Sequence, residues 1–379
     1  MSIDNMTASQ RSRTYRRRGA AVAAITLCLL STAPAAQPSR ASYAARLNDR
    51  IVFVIRSGGV SRIYTVRSDG GGLQLVSRLP ARLLRGGDVK PSWSRDARFI
   101  AFARNIPKRG EDRLWIYTAR SDGTGARRLT KGPMLSFAGG GIKGRASFDS
   151  MPSWSPDGRS IAFVRASAPG AAVAFIQRIG TDGRQLTRLT EGGIFDFSPA
   201  WSPDGSRIAF MRTGGALPGR DPVTIGDANL GFVPASGGRP SGVNVFGRDA
   251  AWSPDGRRVA FVNYRDMNGL TCFAHGNLGR YVLGLDAART HAGRRCFANG
   301  EIYVADNDGR NARRLTSSLA DDSHPSWSPD GSRIVFSSGF HAAGRPLPKL
   351  YVIPASGGEA SLLFSPARGA ALDPAWAPS

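Results

Sequence analysis

Histidine and cysteine are scarce in this chain, with 4 His and 3 Cys in 379 residues. No His-Glu-x-x-His pattern and no paired-cysteine metal spacing occurs, which excludes the common zinc signatures. There is no Gly-x-Ser-x-Gly turn, so the nucleophile elbow of the α/β-hydrolases is missing, and no hydrolase domain follows the repeats described below. Acidic residues are few, 28 against 51 basic ones, giving a formal charge of +23. No basic stretch is interleaved with stacking aromatics, and nucleic acid is not an expected partner. Long apolar runs are also missing. The longest of note, Ala20–Leu30, falls well short of the roughly 20 residues of a spanning helix.

That short run has a clear alternative use. Arg11, Arg13 and Arg16–Arg18 precede it, and Ala33-Pro34-Ala35 follows with small residues for cleavage. Residues 1–36 therefore read as a signal peptide, with an uncleaved anchor as the other reading, and the product is expected to be periplasmic or secreted. Cys28 lies after Leu27 rather than after a small residue, so a lipid-anchored cysteine is not expected. Cleavage would remove five Arg and Asp4 and leave a charge of +19. The remaining Cys272 and Cys296 share one insertion, and in an oxidising compartment a disulfide between them is expected.

What the chain does contain is a repeated phrase. Pro152-Ser-Trp-Ser-Pro-Asp-Gly158 leads into Ile161-Ala-Phe163. The phrase returns at Pro199–Gly205, Ala251–Gly256 and Pro325–Gly331, in worn form at Pro91–Asp96, and truncated at Pro374–Pro378. Six of the seven tryptophans lie in it. The Trp segment reads as a strand, Ser-Pro-Asp-Gly as a tight turn, and Ile-Ala-Phe as a returning strand. A second hairpin follows each copy, as in Leu114–Tyr117, Ser121–Gly123 and Ala126–Thr130, and again in Ala174–Thr190, Leu230–Val243, Ile302–Thr316 and Leu350–Phe364. One repeat is thus four antiparallel strands, A to D, and sheets of this kind stack radially into a propeller.

Six repeats are expected. Trp93, Trp154, Trp201, Trp252 and Trp327 open five. Ile51–Ile55, Arg62–Val66 and Leu73–Arg78 are strands B to D with no Trp strand before them, whereas Pro374–Pro378 is a Trp strand with nothing after it. Joining the two would close a ring and remove an open sheet edge. The expected fold is an all-β six-bladed propeller over residues 47–379, after a 37–46 linker.

The A–B and C–D turns are short and uniform and belong on one side of the disc. The insertions Lys131–Met151, Thr213–Asn229 and Asn263–Gly300 fall in D–A and B–C connections on the other side, which is the expected working face. Asp88, Asp149, Asp196 and Asp322 stand five residues before their Trp, and Asp249 and Asp373 three before. If the six gathered at a channel mouth, they would need a cation such as Ca²⁺ or a partner's Lys or Arg. The other reading is that each caps the entry to its own strand and bonds backbone N–H groups of a neighbouring blade. The arginines at outer positions, among them Arg127, Arg128, Arg188, Arg313 and Arg314, suit either an anionic cell-wall polymer or membrane surface, or protection of edge strands.

The Trp-Ser-Pro-Asp-Gly…Ile-Ala-Phe phrase, with Ile-Tyr…Asp-Gly…Arg-Arg-Leu-Thr, resembles the repeat of the TolB-like six-bladed propellers over about residues 45–379. The resemblance implies an exported, non-catalytic scaffold that binds an envelope protein or peptide as a monomer. It departs from that family in lacking an α/β domain ahead of the repeats, which leaves a Tol–Pal role open. Exported propellers with a similar repeat also resemble oligogalacturonate lyases. On that alternative His275, His291, His324 and His341 would supply ligands for a divalent metal.

Overall fold

The computed structural model describes residues 49–378, apart from 81–82, 108–113, 132–135, 139–140, 144–145, 169–172, 192–194, 214–228, 264–269, 274–287, 292–293, 299 and 340–346. The leader at 1–36 and the 37–46 linker lie outside the described residues. All the regular elements described are β-strands.

Twenty-four of these strands form six four-stranded antiparallel units, ordered inner, second, third and outer. Unit 2 is Gly86–Trp93, Phe99–Asn105, Leu114–Arg120 and Arg127–Arg128. Unit 3 is Ala146–Trp154, Ser160–Ala168, Val173–Gly180 and Thr187–Arg188. Unit 4 is Phe195–Trp201, Arg207–Thr213, Asn229–Pro234 and Ser241–Phe246. Unit 5 is Arg248–Trp252, Arg258–Asn263, Glu301–Asp306 and Arg313–Arg314. Unit 6 is Asp321–Trp327, Arg333–Gly339, Lys349–Pro354 and Ser361–Phe364. Unit 1 is assembled from both ends of the chain. Ala370–Trp376 is its inner strand and pairs with Arg50–Ser57, placing Trp376 opposite Ile51 and Ala375 opposite Val52. Val60–Arg67 and Gln74–Leu75 complete it.

The sequence explains how burial is graded across each unit. Second strands carry continuous apolar runs, Ile51–Val54 and Ile100–Ala103 for example, and both faces are buried. Such runs suit a sheet covered on both sides. Phe53, Phe163, Phe210, Phe261 and Phe336 sit here with no exposed surface or almost none. Each contributes roughly 1.5–3 kcal/mol by burial. Third strands alternate more, and the two-residue outer strands of units 1 and 2 are exposed. Burial is thus greatest in the second strands and falls toward the outer ones.

The repeated phrase builds both turn and seam. In unit 3 the Gly158 N–H donates to the Ser155 carbonyl at 3.0 Å, and Asp157 Oδ1 accepts from the Ser155 hydroxyl and from Arg159 N–H. Gly158 has φ +68°, the left-handed region that glycine enters without a Cβ penalty. Trp93, Trp252 and Trp327 each donate the indole N–H to the preceding unit, to Ala375 O, Ala200 O and Ala251 O at 3.0–3.1 Å. Arg207, Arg258 and Arg333 lie over the Trp of the following unit, at 4.9, 4.7 and 5.1 Å from the ring. The inner strands contact one another in order through units 2, 3, 4, 5 and 6, then unit 1, and unit 1 contacts unit 2.

The insertions carry strands of their own. Ser136–Ala138 pairs with Gly141–Lys143 in the unit 2 to unit 3 connection. Leu270–Phe273, Arg294–Ala298 and Ala288–His291 form a three-stranded sheet between the second and third strands of unit 5.

Candidate functional site

Every inner strand contains a β-bulge between the fourth and first residues before its Trp or, in unit 1, opposite Val52–Val54. The residue three before the Trp is left-handed in all six: Lys90, Met151, Ser198, Asp249, His324 and Asp373, with φ of 51–54°. None is glycine, so the same mild strain is kept at every repeat. The bulge breaks the period-two alternation and sends this residue toward the place where the inner strands meet.

There the six form a continuous set of contacts from unit to unit. Lys90 Nζ donates to Asp373 Oδ1 at 2.9 Å and also meets His324 Nε2. His324 Nε2 lies 3.2 Å from Asp373 Oδ1 and 3.6 Å from Asp249 Oδ2. The Ser198 hydroxyl donates to Asp249 Oδ1 at 2.8 Å and lies 3.6 Å from Met151 Sδ. Arg248 Nε adds a charge 3.6 Å from Asp249. Burial pushes both carboxyls up, but the cations outweigh it. Lys90 and His324 bring Asp373 down to about 2. His324, Arg248 and Lys90 hold Asp249 well below the usual carboxylate range. Burial keeps the His324 imidazole below its ordinary value, against the pull of Asp249 and Asp373.

The expected ring of six aspartates is therefore corrected. Only Asp249 and Asp373 reach the centre. Asp88, Asp149 and Asp196 stand before the bulge and are buried, each held by two hydrogen bonds from an arginine of the same unit. Arg104 holds Asp88 at 2.6 and 2.8 Å, Arg165 holds Asp149 at 2.7 and 2.8 Å, and Arg212 holds Asp196 at 2.7 and 2.9 Å. Among the described residues no backbone N–H donates to these three, whereas Lys90 N–H of the neighbouring unit donates to Asp373 Oδ2 at 3.4 Å. The calcium reading loses its donor set, since Ca²⁺ takes six to eight oxygens. Among the described residues no group of three or more His, Cys, Asp or Glu is arranged to hold a metal. The cation expected from a partner is supplied by the chain's own Lys90.

Asp322 is the exception among the four. Opposite it stands Ser338 instead of an arginine. Burial pushes its carboxyl up to about 7; side-chain hydrogen bonding with Ser338 and Thr316 opposes the rise, and Glu301 and Asp321 add to it. Glu301 is raised as well, first by burial, although Thr316 and Arg314 donate to it at 2.7 Å.

Lys90 and the clamp arginines were missed in the sequence, and both had a signal. Lys90 shares the register of Asp249 and Asp373. Each clamped Asp has an Arg 16 residues later, whereas Gly247 is followed at that distance by Asn263. Cys272 and Cys296 are directly opposite in the insertion sheet, a backbone register that suits a bond between them. Of the four histidines, only His324 has a described side chain. His275 and His341 lie outside the described residues, as does the side chain of His291.

No family model matches the chain. Solved structures do. TolB from Acinetobacter baumannii superposes with a TM-score of 0.58 at 22% identity, covering 87% of this chain and 67% of its own. Hydrazine synthase from Kuenenia stuttgartiensis gives 0.54 at 15%, covering 88% and 48%. A puromycin-hydrolyzing peptidase from Mycobacterium tuberculosis is a looser match, 0.46 at 14%, covering 82% and 43%. The chain thus spans about two thirds of that TolB chain and about half of the hydrazine synthase chain. At these identities the likeness is one of fold. The chain is all-β, and its fold is similar to that of TolB.

Proposed function

We propose that this chain is a closed six-bladed propeller, sealed by Ala370–Trp376, that acts outside the cytoplasm as a monomeric, non-catalytic scaffold. Its partner would be a protein or peptide of the cell envelope, received on the B–C/D–A side and at the mouth of the central channel. The observation that carries this reading is the centre itself. Lys90 holds Asp373, and Asp249 accepts from Ser198 with Arg248 beside it, so the chain's own cations largely balance the charge at the centre, and the channel reads as a plugged floor rather than as a reaction centre. Around that floor, one side carries the insertions, with Cys272 and Cys296 proposed to form a disulfide that fixes the longest. The exposed Leu84 (85%) and Leu319 (71%) also stand in D–A connections on that side. Isolated exposed leucines are common, so it is their shared side that counts. The +19 charge of the processed chain would favour approach to an anionic cell-wall polymer or lipid surface.

The test is site-specific photocrosslinking in cells. A crosslinker replacing Leu84 or Leu319 is expected to capture an envelope component, while one at Leu186, near a C–D turn, is not. Capture from Leu186 alone, or recovery of the protein only from the cytoplasm, would overturn the reading.

A further inference from the structure

On the opposite face, with the uniform turns, the repeat pattern fails between units 2 and 3, and between units 3 and 4 the equivalent position is Ser160. At three seams an arginine six residues after one Trp covers the Trp of the next unit: Arg207 on Trp252, Arg258 on Trp327 and Arg333 on Trp376. Between units 2 and 3 the equivalent residue is Phe99, whose ring lies 6.5 Å from that of Trp154 at 32°. A cavity of about 310 Å³ opens beside this pair. Two arginines, Arg120 and Arg127, line it together with Thr118 and Thr181, Arg127 donating one N–H to the Thr181 carbonyl, and no acidic residue among the described ones does. The nearby turn carboxylates are engaged in their own turns, Asp122 with Thr124, Asp157 with Ser155 and Arg159, and Asp182 with Arg184. Trp154 Nε1, like Trp201 Nε1, is buried with no hydrogen-bond partner among the described residues, whereas Trp93, Trp252 and Trp327 donate theirs.

We propose that this cavity is a binding site for a small ring bearing a carboxylate. The chemistry follows from what the other seams place there. Three of them seat a planar guanidinium on indole, whereas here the indole is faced by a second aromatic ring. The space beside the two rings suits a flat or stackable ring. The guanidiniums are on the wall rather than in the stack, and a planar fork of N–H donors matches a carboxylate. The volume is at the small end for ligand pockets. Both an aromatic acid and a uronic acid have this chemistry. The site lies on the side away from the proposed partner face, so either reading can fail without the other.

The test is calorimetric titration of the full chain with 1-naphthoate and, separately, D-galacturonate, with 1-naphthamide as the uncharged control. Saturable binding of 1-naphthoate, at least tenfold weaker for the amide, identifies an aromatic-acid site; saturation by galacturonate alone identifies a uronate site. In either case binding should be lost in Phe99→Arg, which places there the arginine found at three other seams, and weakened at least tenfold in Arg120→Ala and Arg127→Ala. The last two are surface changes that keep the fold measurable should Phe99→Arg not fold. Failure of both acids to bind, equal binding of the amide, or binding unchanged in the arginine variants would overturn the proposal.

Discussion

Asp88 and Arg104 show most directly what a single residue does in this molecule. The carboxylate is fully buried and the guanidinium is nearly so, and neither charge is tolerable without the other. Arg104→Met should destabilise by about 3–5 kcal/mol, read as a shift in denaturation midpoint, and the double change Asp88→Leu/Arg104→Met should recover much of the loss. Asp322 gives the reverse case, a buried carboxyl with no arginine opposite. Its folded-state value of about 7 lies above its ordinary one, so the native state keeps a proton that the unfolded chain releases near pH 4. The protein is accordingly expected to lose stability as pH rises from about 4 to 7, by on the order of 4 kcal/mol at most, and then to level off. Asp322→Asn should flatten that part of a pH–stability profile measured in urea. Asp373, held at about 2, has the opposite sign, and its contribution is present above about pH 4 and lost on acidification toward 2.

At the scale of the strand and turn, the sequence was most legible where one phrase does one job. Ser-Pro-Asp-Gly foretold a tight turn and Ile-Ala-Phe a returning apolar strand, whereas the side-chain bonds of Ser and Asp and the burial of that strand on both faces were not foretold. The centre was less legible for a physical reason. An ideal strand would put positions five and three before the Trp on one face, but the left-handed bulge residue shifts the alternation, so Asp88 turns to Arg104 while Lys90 turns to Asp373. A bulge leaves no turn-like signature when its residue is Lys, Met, Ser, Asp or His. The turn itself makes a sharper prediction. A Cβ at Gly158 would meet nothing within 4 Å, so Gly158→Ala tests backbone conformation alone. Its φ of +68° should make the change cost about 1–2 kcal/mol, seen as a lowered melting temperature.

The whole molecule depends on its two ends meeting. The second strand of unit 1, Arg50–Ser57, would be an open edge without Ala370–Trp376, and such edges recruit other chains. The indole of Trp93 also reaches across to Ala375, so losing the last strand would loosen unit 2 as well. The broken repeat at each end made this join readable before any coordinates; the partner was not readable, because the connections of the working face share no motif. The most direct test is a cysteine pair at Val52 and Ala375, which stand opposite each other across the join. Facing strand positions lie about 4.5–5.5 Å apart, within the range a disulfide spans. The account predicts that oxidised Val52→Cys/Ala375→Cys protein is a monomer whose two terminal peptides are covalently joined, with a higher melting temperature than its reduced form. Peptides that stay separate, or that join only between different molecules, would contradict it.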